Sequence, residues 1–247
     1  MKKHSIATAL LAFSLWSLPA VSHAQEAAPA ARTPLTTAAI DPNALCCGEV
    51  SKPGQLLDRV IDSMHVDALW QPQVHINWLT GQQDEPASST GPDRATHCSS
   101  FTAALGYKLD IYMLRPPDHP QQLLASAQAQ WFNSKSSGSQ GWEPVATAAE
   151  AQSLANAGEL VTVVYESPDP HRPGHIAIVR PIAKTNGDLL ENGVQTAQAG
   201  ARNFSSGVAR ISFAKHKGAW PDEVRYYAHP IDWPTLIAKW QTMAKQK

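Results

Sequence analysis

The sequence has few charges, few cysteines and, beyond its first residues, no long apolar run. Charged residues make up 17% of the 247 positions and the formal net charge is −1, which argues against a protein that follows nucleic-acid phosphates. No later stretch approaches the ~18 uninterrupted apolar residues of a membrane span. Because 43% of the residues are hydrophobic, the composition predicts a soluble globular protein with a core.

The N-terminus has the pattern of a secretory signal peptide. Lys2 and Lys3 precede an apolar run over 6–18, and Ser22-His23-Ala24 offers small residues for cleavage after Ala24. We therefore predict a signal peptide over 1–24, a flexible Ala/Pro-rich spacer over 25–43 and a mildly acidic mature protein that is periplasmic or secreted.

The remaining chain reads as helices followed by strands. Apolar spacing predicts helices over 53–70, 99–109, 121–133, 146–156 and 232–245, and Ser and Gly make 135–141 a predicted loop. β-branched and apolar runs predict strands over 159–165, 175–180, 194–199, 208–213 and 224–228. This order indicates an α+β domain over 44–231, with a C-terminal amphipathic helix over 232–247, rather than an alternating α/β fold.

The three cysteines do not share one role. Cys98 lies where a polar loop meets a helix, and unpaired backbone N–H groups and the helix dipole favour an anion there. This placement predicts a lowered thiol pKa and a thiolate near neutral pH. The alternative is a small buried residue, as most free cysteines are.

Cys46 and Cys47 leave several pairings open. They can bond to each other, to another molecule, or stay reduced, and a bridge from either one to Cys98 is a further alternative. A bond between adjacent cysteines is geometrically awkward, because their Cα atoms lie about 3.8 Å apart, below the usual span of ~4.4–6.8 Å.

His175 is the histidine best placed to serve a thiol nucleophile. It follows Pro173-Gly174 and opens an alternating strand, so its imidazole is held at the rim of a sheet. His171 lies four residues earlier, but Pro173 and Gly174 break the helix that a metal-binding pair at this spacing requires, and no acidic or cysteine cluster adds ligands. We therefore predict no metal and no cofactor.

A base of this kind needs an orienting acceptor, and the sequence predicts Gln198. Asn186-Gly187 is a strong hairpin dipeptide, and pairing about a two-residue turn there places residue 198 opposite residue 175. The alternative is a Gln198 side chain that points to solvent.

Three short segments together resemble the papain-like cell-wall amidohydrolases, which include CHAP domains and NlpC-type peptidases. They are Thr96-His97-Cys98-Ser-Ser-Phe, Gly174-His175-Ile-Ala-Ile-Val and Ala197-Gln198-Ala-Gly. The resemblance implies a papain-like α+β fold in which N-terminal helices carry Cys98 as nucleophile and an antiparallel sheet carries His175 as general base and acid. Gln198 takes the third position, where members more often have His, Asn or Glu, and His97 stands where many have Asp or Asn.

The resemblance implies a cysteine peptidase or amidase that hydrolyses amide bonds of peptidoglycan through a thioester. Its expected partners are peptidoglycan or muropeptide fragments and an immunity or inhibitor protein, and a monomer is expected. One oxyanion donor is the Cys98 backbone N–H, and a second is expected from a side chain upstream, where the segment 77–96 shows no motif that identifies it. Two alternatives remain: a thiol hydrolase or acyltransferase that acts on proteins, and a non-catalytic or redox-gated binding or inhibitory domain.

Overall fold

An antiparallel sheet of six strands is the frame on which the helices pack. The computed structural model describes residues 40–86, 88 and 96–246. The predicted signal peptide over 1–24 and positions 25–39 of the predicted spacer lie outside the described residues. The described residues from position 40 onward cluster as one compact unit.

The strands reproduce most of the predicted ones. In chain order they are β1 (Leu45–Cys46), β2 (Glu143–Val145), β3 (Leu160–Tyr165), β4 (His175–Val179), β5 (Lys184–Thr185), β6 (Gln195–Gln198), β7 (Phe204–Val208) and β8 (Arg225–His229). The sheet has the order β2-β8-β3-β4-β6-β7 with every neighbouring pair antiparallel, while β1 and β5 pair separately. The strand β4 therefore lies inside the sheet, between β3 and β6.

Eight α-helices occur among the described residues. They are α1 (Lys52–Asp62), α2 (Cys98–Lys108), α3 (Leu124–Phe132), α4 (Lys135–Ser139), α5 (Ala148–Ala157), α6 (Asn186–Asn192), α7 (Ala209–Ser212) and α8 (Trp233–Ala244). With the antiparallel sheet, they confirm the predicted α+β class.

The two faces of β4 contact different cores. Ile176 and Ile178 belong to the cluster that contains Phe101 of α2, whereas Ala177 and Val179 belong to the cluster that contains Phe213, just after α7. Successive β4 residues belong to different clusters because side chains alternate between the two faces of a strand. All five residues of β4 are buried, which explains its unbroken apolar sequence after the initial histidine.

The helix α1 begins as predicted but ends early. The Ser51 hydroxyl caps it by accepting a hydrogen bond from the Gly54 N–H at 3.1 Å. The helix stops at Asp62, and the prediction that it continues to Trp70 is wrong. His65 and Trp70 have φ angles of 52° and 51°, in the left-handed region that a right-handed helix cannot include.

Two further predicted elements are wrong. The segment 135–141, predicted as a loop, contains α4, capped by the Ser134 hydroxyl on the Ser136 N–H. The segment 208–213, predicted as a strand, is mostly α7. Its apolar residues Ala209 and Phe213 are four positions apart and joined by a helical backbone hydrogen bond of 3.0 Å, so both reach the same core cluster.

The dipeptide Asn186-Gly187 is not a hairpin turn, contrary to the prediction. It forms the first turn of α6, because the Thr185 hydroxyl accepts a hydrogen bond from the Asp188 N–H at 3.2 Å and caps that helix. The connection between β4 and β6 is consequently long. The observed register pairs Ile178 with Ala197, which puts position 200, not 198, opposite His175.

Candidate active site

Cys98 is the first residue of α2 and its side chain is almost fully buried. Backbone N–H groups of Ile176, Ser99 and Cys98 itself, together with the Thr96 hydroxyl, donate toward the sulfur and favour the thiolate. Burial outweighs them and raises the pKa of the thiol above 9.0. The expected lowering of this pKa is therefore wrong in sign, because the helix terminus lies inside the protein and not at its surface.

A cavity of about 210 Å³ opens beside Cys98. It is lined by residues of the segment before α2, the start of α3 and the loop before β4: Thr96, Ser99, Gln121, Leu123, His171 and Pro173. The wall at Gln121 is fixed, because its side chain accepts a hydrogen bond from the Ser100 hydroxyl at 3.0 Å and donates to the Ile76 carbonyl at 3.0 Å. The sulfur thus faces a small cavity of mixed polar and apolar lining, in which Gln121 is held by hydrogen bonds.

His175 and Gln198 are in direct contact, as predicted. The His175 Nε2 and Gln198 Oε1 atoms are 2.7 Å apart. The Gln198 Nε2 donates to the Arg202 carbonyl at 3.0 Å, which sets the orientation of the amide. Since an amide oxygen only accepts, the His175 Nε2 carries the proton, and Nδ1 is left with a free lone pair that can take a proton from a thiol.

The contact forms although the predicted turn is wrong. The observed register moves the partner of His175 by two positions, from 198 to 200. A shift by two keeps every side chain on the same face of a strand, so Gln198 still lies on the face of His175 and reaches it diagonally. Gly200, directly opposite, has no side chain; a Cβ there would lie 3.5 Å from His175 Cε1.

The imidazole of His175 sits in an aromatic pocket. Its ring centroid lies 5.0 Å from that of Phe213 in an edge-to-face arrangement and 5.0 Å from that of His216 in a stacked one. Burial lowers the pKa of His175 from 6.5 to about 4, and the hydrogen bond with Gln198 opposes this effect. The resting site therefore holds a neutral thiol and a neutral imidazole at neutral pH.

Cys98 and His175 lie on opposite faces of β4. The N–H that donates to the Cys98 sulfur belongs to Ile176, the residue directly after His175. The side chains of Ile176 and His175 alternate across the strand, so α2 and the His175 ring approach β4 from its two faces. Within the described part of the chain no hydrogen bond joins the Cys98 sulfur to the His175 ring.

Sequence reasoning missed three side chains around this pair. His216 and Phe213 pack on the His175 ring, and the Thr96 hydroxyl bonds to the Cys98 sulfur. The assignment of 208–213 to a strand concealed Phe213 and His216, since a helix turn is what brings them under β4. His97 is buried, and its Nε2 donates to the Val74 carbonyl at 2.9 Å.

Of the cysteine pairings that the sequence leaves open, the structure has the one between the two adjacent cysteines. Cys46 and Cys47 form a disulfide with each other, and Cys98 is free and buried. Cys47 adopts a φ of 73°, and its carbonyl accepts a hydrogen bond from the Asn156 side chain at 3.3 Å. The sulfur of Cys98 is accordingly available for chemistry.

The buried neutral His175 makes stability sensitive to acid. Its folded pKa of about 4 lies below the unfolded value of 6.5, so between these values the unfolded chain binds a proton that the folded protein does not. We expect this residue alone to lower the free energy of unfolding by about 2 kcal/mol between pH 6.5 and 4.5. Urea unfolding at several pH values measures it. A His175→Gln variant should lose that part of the pH dependence, and an unchanged slope would contradict the prediction.

The described residues contain neither a cluster of metal ligands nor a membrane-spanning helix. No group of three or more His, Cys, Asp or Glu side chains among 40–86, 88 and 96–246 is arranged to hold a metal ion. Over these ranges, no helix combines the length and the apolar character needed to cross a membrane. Comparison with models of known protein families gave no match, and comparison with curated protein sequences gave none.

Proposed function

We propose that the chain is an exported cysteine hydrolase of papain-like fold that cleaves amide bonds of peptidoglycan. Cys98 is the nucleophile, His175 the general base and acid, and Gln198 the residue that orients the imidazole. The proposal combines the site geometry with the resemblance of three segments to cell-wall amidohydrolases.

The observation that carries this proposal is the hydrogen bond between His175 and Gln198. It fixes the tautomer with the proton on Nε2, so Nδ1 presents a lone pair. The second anchor, from Gln198 to the Arg202 carbonyl, holds the amide oxygen toward the ring. A buried imidazole with one nitrogen fixed by an amide and the other left basic is what a general base requires.

The reaction follows from these roles. As the sulfur of Cys98 attacks the amide carbon, its thiol proton passes to Nδ1 of His175 and a tetrahedral oxyanion forms. Because the ring lies across β4 from the sulfur, this transfer needs a movement of the ring or a water that relays the proton. The imidazolium then protonates the departing amine, which leaves a thioester on Cys98, and water activated by His175 hydrolyses it.

In this proposal, hydrogen-bond donors near the Cys98 sulfur stabilise the negative charge of the tetrahedral oxyanion. The backbone N–H groups of Cys98 and Ser99 lie beside the sulfur at the start of α2, and in this proposal the Cys98 N–H stabilises the oxyanion. The upstream side-chain donor expected over 77–96 falls partly on positions 87 and 89–95, outside the described residues. At the described end of that segment, the Thr96 hydroxyl is the candidate for this second donor.

The inert alternative required a bridge from Cys98 to Cys46 or Cys47. The structure pairs those two cysteines with each other, so Cys98 is not held in a disulfide. The protein-substrate alternative uses the same three residues, and the identity of the cleaved amide distinguishes it from the main proposal.

Digestion of purified peptidoglycan by the mature chain tests the proposal. We expect soluble fragments whose masses correspond to hydrolysis of one kind of amide bond, and none after complete alkylation of Cys98, with the modified residue identified by peptide mapping. Fragments of an unfolded protein substrate, with intact peptidoglycan, would support the protein-directed alternative. Fragments released by fully alkylated protein would refute the thiol mechanism.

A further inference from the structure

A second imidazole packs flat against the candidate general base. The rings of His175 and His216 are nearly parallel, with an interplanar angle of 15° and centroids 5.0 Å apart. This spacing is that of an offset stack, in which ring faces attract each other by dispersion. His216 is not adjacent to β4 in sequence, so tertiary structure alone creates this contact.

His216 is itself held in place. Its backbone N–H donates to the Phe213 carbonyl at 2.9 Å, and its carbonyl accepts from the Ala219 N–H at 3.0 Å. Its ring also lies against Tyr165 of β3, with centroids 5.6 Å apart. The backbone of His216 is therefore held by hydrogen bonds, and its half-buried imidazole contacts the rings of His175 and Tyr165.

Three contacts together enclose the ring of His175. Gln198 holds the Nε2 atom, Phe213 presents its edge to the ring, and His216 covers a ring face. A rotation of the His175 ring about its Cβ–Cγ bond would break the hydrogen bond and clash with the stacked imidazole. The stack and the hydrogen bond with Gln198 thus restrain the same torsion.

We propose that His216 is a positioning residue, whose ring stacks on His175 and clamps that imidazole against Gln198. Over the described residues, the ring contacts of His216 are with His175 and Tyr165 and not with the Cys98 sulfur. His216 acts through His175, and the resulting orientation keeps Nδ1 directed away from the Gln198 contact and free to accept a proton.

The charges around the two rings agree with this role. Two imidazolium ions this close would repel each other, and burial already lowers the pKa of His216 from 6.5 to about 4, with further lowering by His175 and Arg172. Gln198, Tyr165 and Phe213 face the pair without charge, the Cys98 thiol lies across β4, and no carboxylate contributes to either pKa. The stacked pair is consequently neutral at pH 7, as a clamp on a general base requires.

Two substitutions separate the stacking from the imidazole itself. His216→Phe keeps a flat ring over His175, and His216→Ala removes it. We expect His216→Phe to stay within about twofold of the wild-type kcat, and His216→Ala to lower kcat about tenfold with little change in KM, since only the orientation of the base changes. His229→Ala is the matched control, because His229 also packs on an aromatic ring, Trp142, with centroids 5.4 Å apart, outside the site.

An NMR titration of His175 in protein labelled with 13C-histidine is the second readout. In His216→Ala, water reaches the ring, so we expect the pKa of His175 to rise by about one unit or more toward 6.5; in His216→Phe it should stay within half a unit of the wild-type value. The kinetic readout rests on the proposed function, whereas the titration does not. If no amide is cleaved by any variant, the titration alone decides.

Two results would overturn the proposal. One is a His216→Ala protein in which both the pKa of His175 and kcat equal the wild-type values. The other is a folded His216→Phe protein whose kcat falls as far as it does when His175 is removed. In that case a stacked ring would be present and yet would not preserve the activity. This test applies even if His216→Ala does not fold. A pKa change in His175 caused equally by the His229→Ala control would also count against the clamp.

Discussion

Replacing Cys98 by alanine is expected to lower the rate of amide hydrolysis by about 10⁴-fold or more while leaving the protein folded. Without the sulfur there is no thioester, and only binding and the oxyanion donors remain to assist attack by water. The side chain is small and buried, so its truncation should cost only about 1 kcal/mol of unfolding free energy. Product analysis and urea unfolding of the same preparation measure both quantities.

A matched double variant, Cys46→Ala with Cys47→Ala, removes the other two sulfurs and leaves Cys98. We expect it to keep most of the activity and to show one thiol per chain that is alkylated at Cys98, because the disulfide pair belongs to β1 and the loop after it and not to the cavity beside Cys98. Loss of activity in this double variant, with retention in Cys98→Ala, would reverse the roles assigned to the cysteines.

The contact between His175 and Gln198 could be predicted from the sequence for a limited reason. Strand alternation assigns both residues to one face, and any even error in the register preserves that assignment. The predicted turn at Asn186-Gly187 is wrong, and the true connection contains β5 and α6, yet the error in register is two residues. An error of one residue would have placed Gln198 on the opposite face.

Burial and packing of the site could not be predicted in the same way. Cys98 begins a helix, which favours a thiolate, but whether that terminus meets water or core is decided by the loop before α2 and by β4. The sign of the pKa shift follows from that burial. His216 and Phe213 were missed because their segment has strand-like composition, and only the tertiary contact with the core cluster explains why it turns as a helix.

One side chain joins the two halves of the candidate site. Asn203 lies in the loop after β6, and its Nδ2 donates to the carbonyls of Val66, Leu69 and Trp70 at 3.0, 2.8 and 3.1 Å. Its Oδ1 accepts from the Gly200 N–H at 2.9 Å. The Trp70 ring then packs on Phe101 of α2, with centroids 5.4 Å apart. The loop that supports Gln198 is thereby connected to the helix that begins with Cys98.

Asn203→Ala is expected to lower the free energy of unfolding by about 3 kcal/mol, because the amide's bonds to the Gly200 N–H and to the three carbonyls, which share its two N–H donors, are lost and partly buried carbonyls are left without a donor. The Arg202 carbonyl, which fixes the Gln198 amide, lies in the same loop, so we also expect kcat to fall about tenfold. Urea unfolding and steady-state kinetics measure the two effects. Asn192→Ala is the control, since its contacts to Asp188 and Arg210 lie near the surface and should cost about 0.5 kcal/mol or less.

The nearly isosteric Asn203→Asp variant shows which half of the amide matters. A carboxylate can still accept from the Gly200 N–H, but it presents oxygen to the three carbonyls of Val66, Leu69 and Trp70 and cannot donate to them. We therefore expect Asp to destabilise the protein more than Ala does at neutral pH, and part of the loss to be recovered when the carboxyl is protonated. If Asp proved as stable as Asn, the donation to the carbonyls could not be what ties the Gln198 loop to the segment that packs on α2.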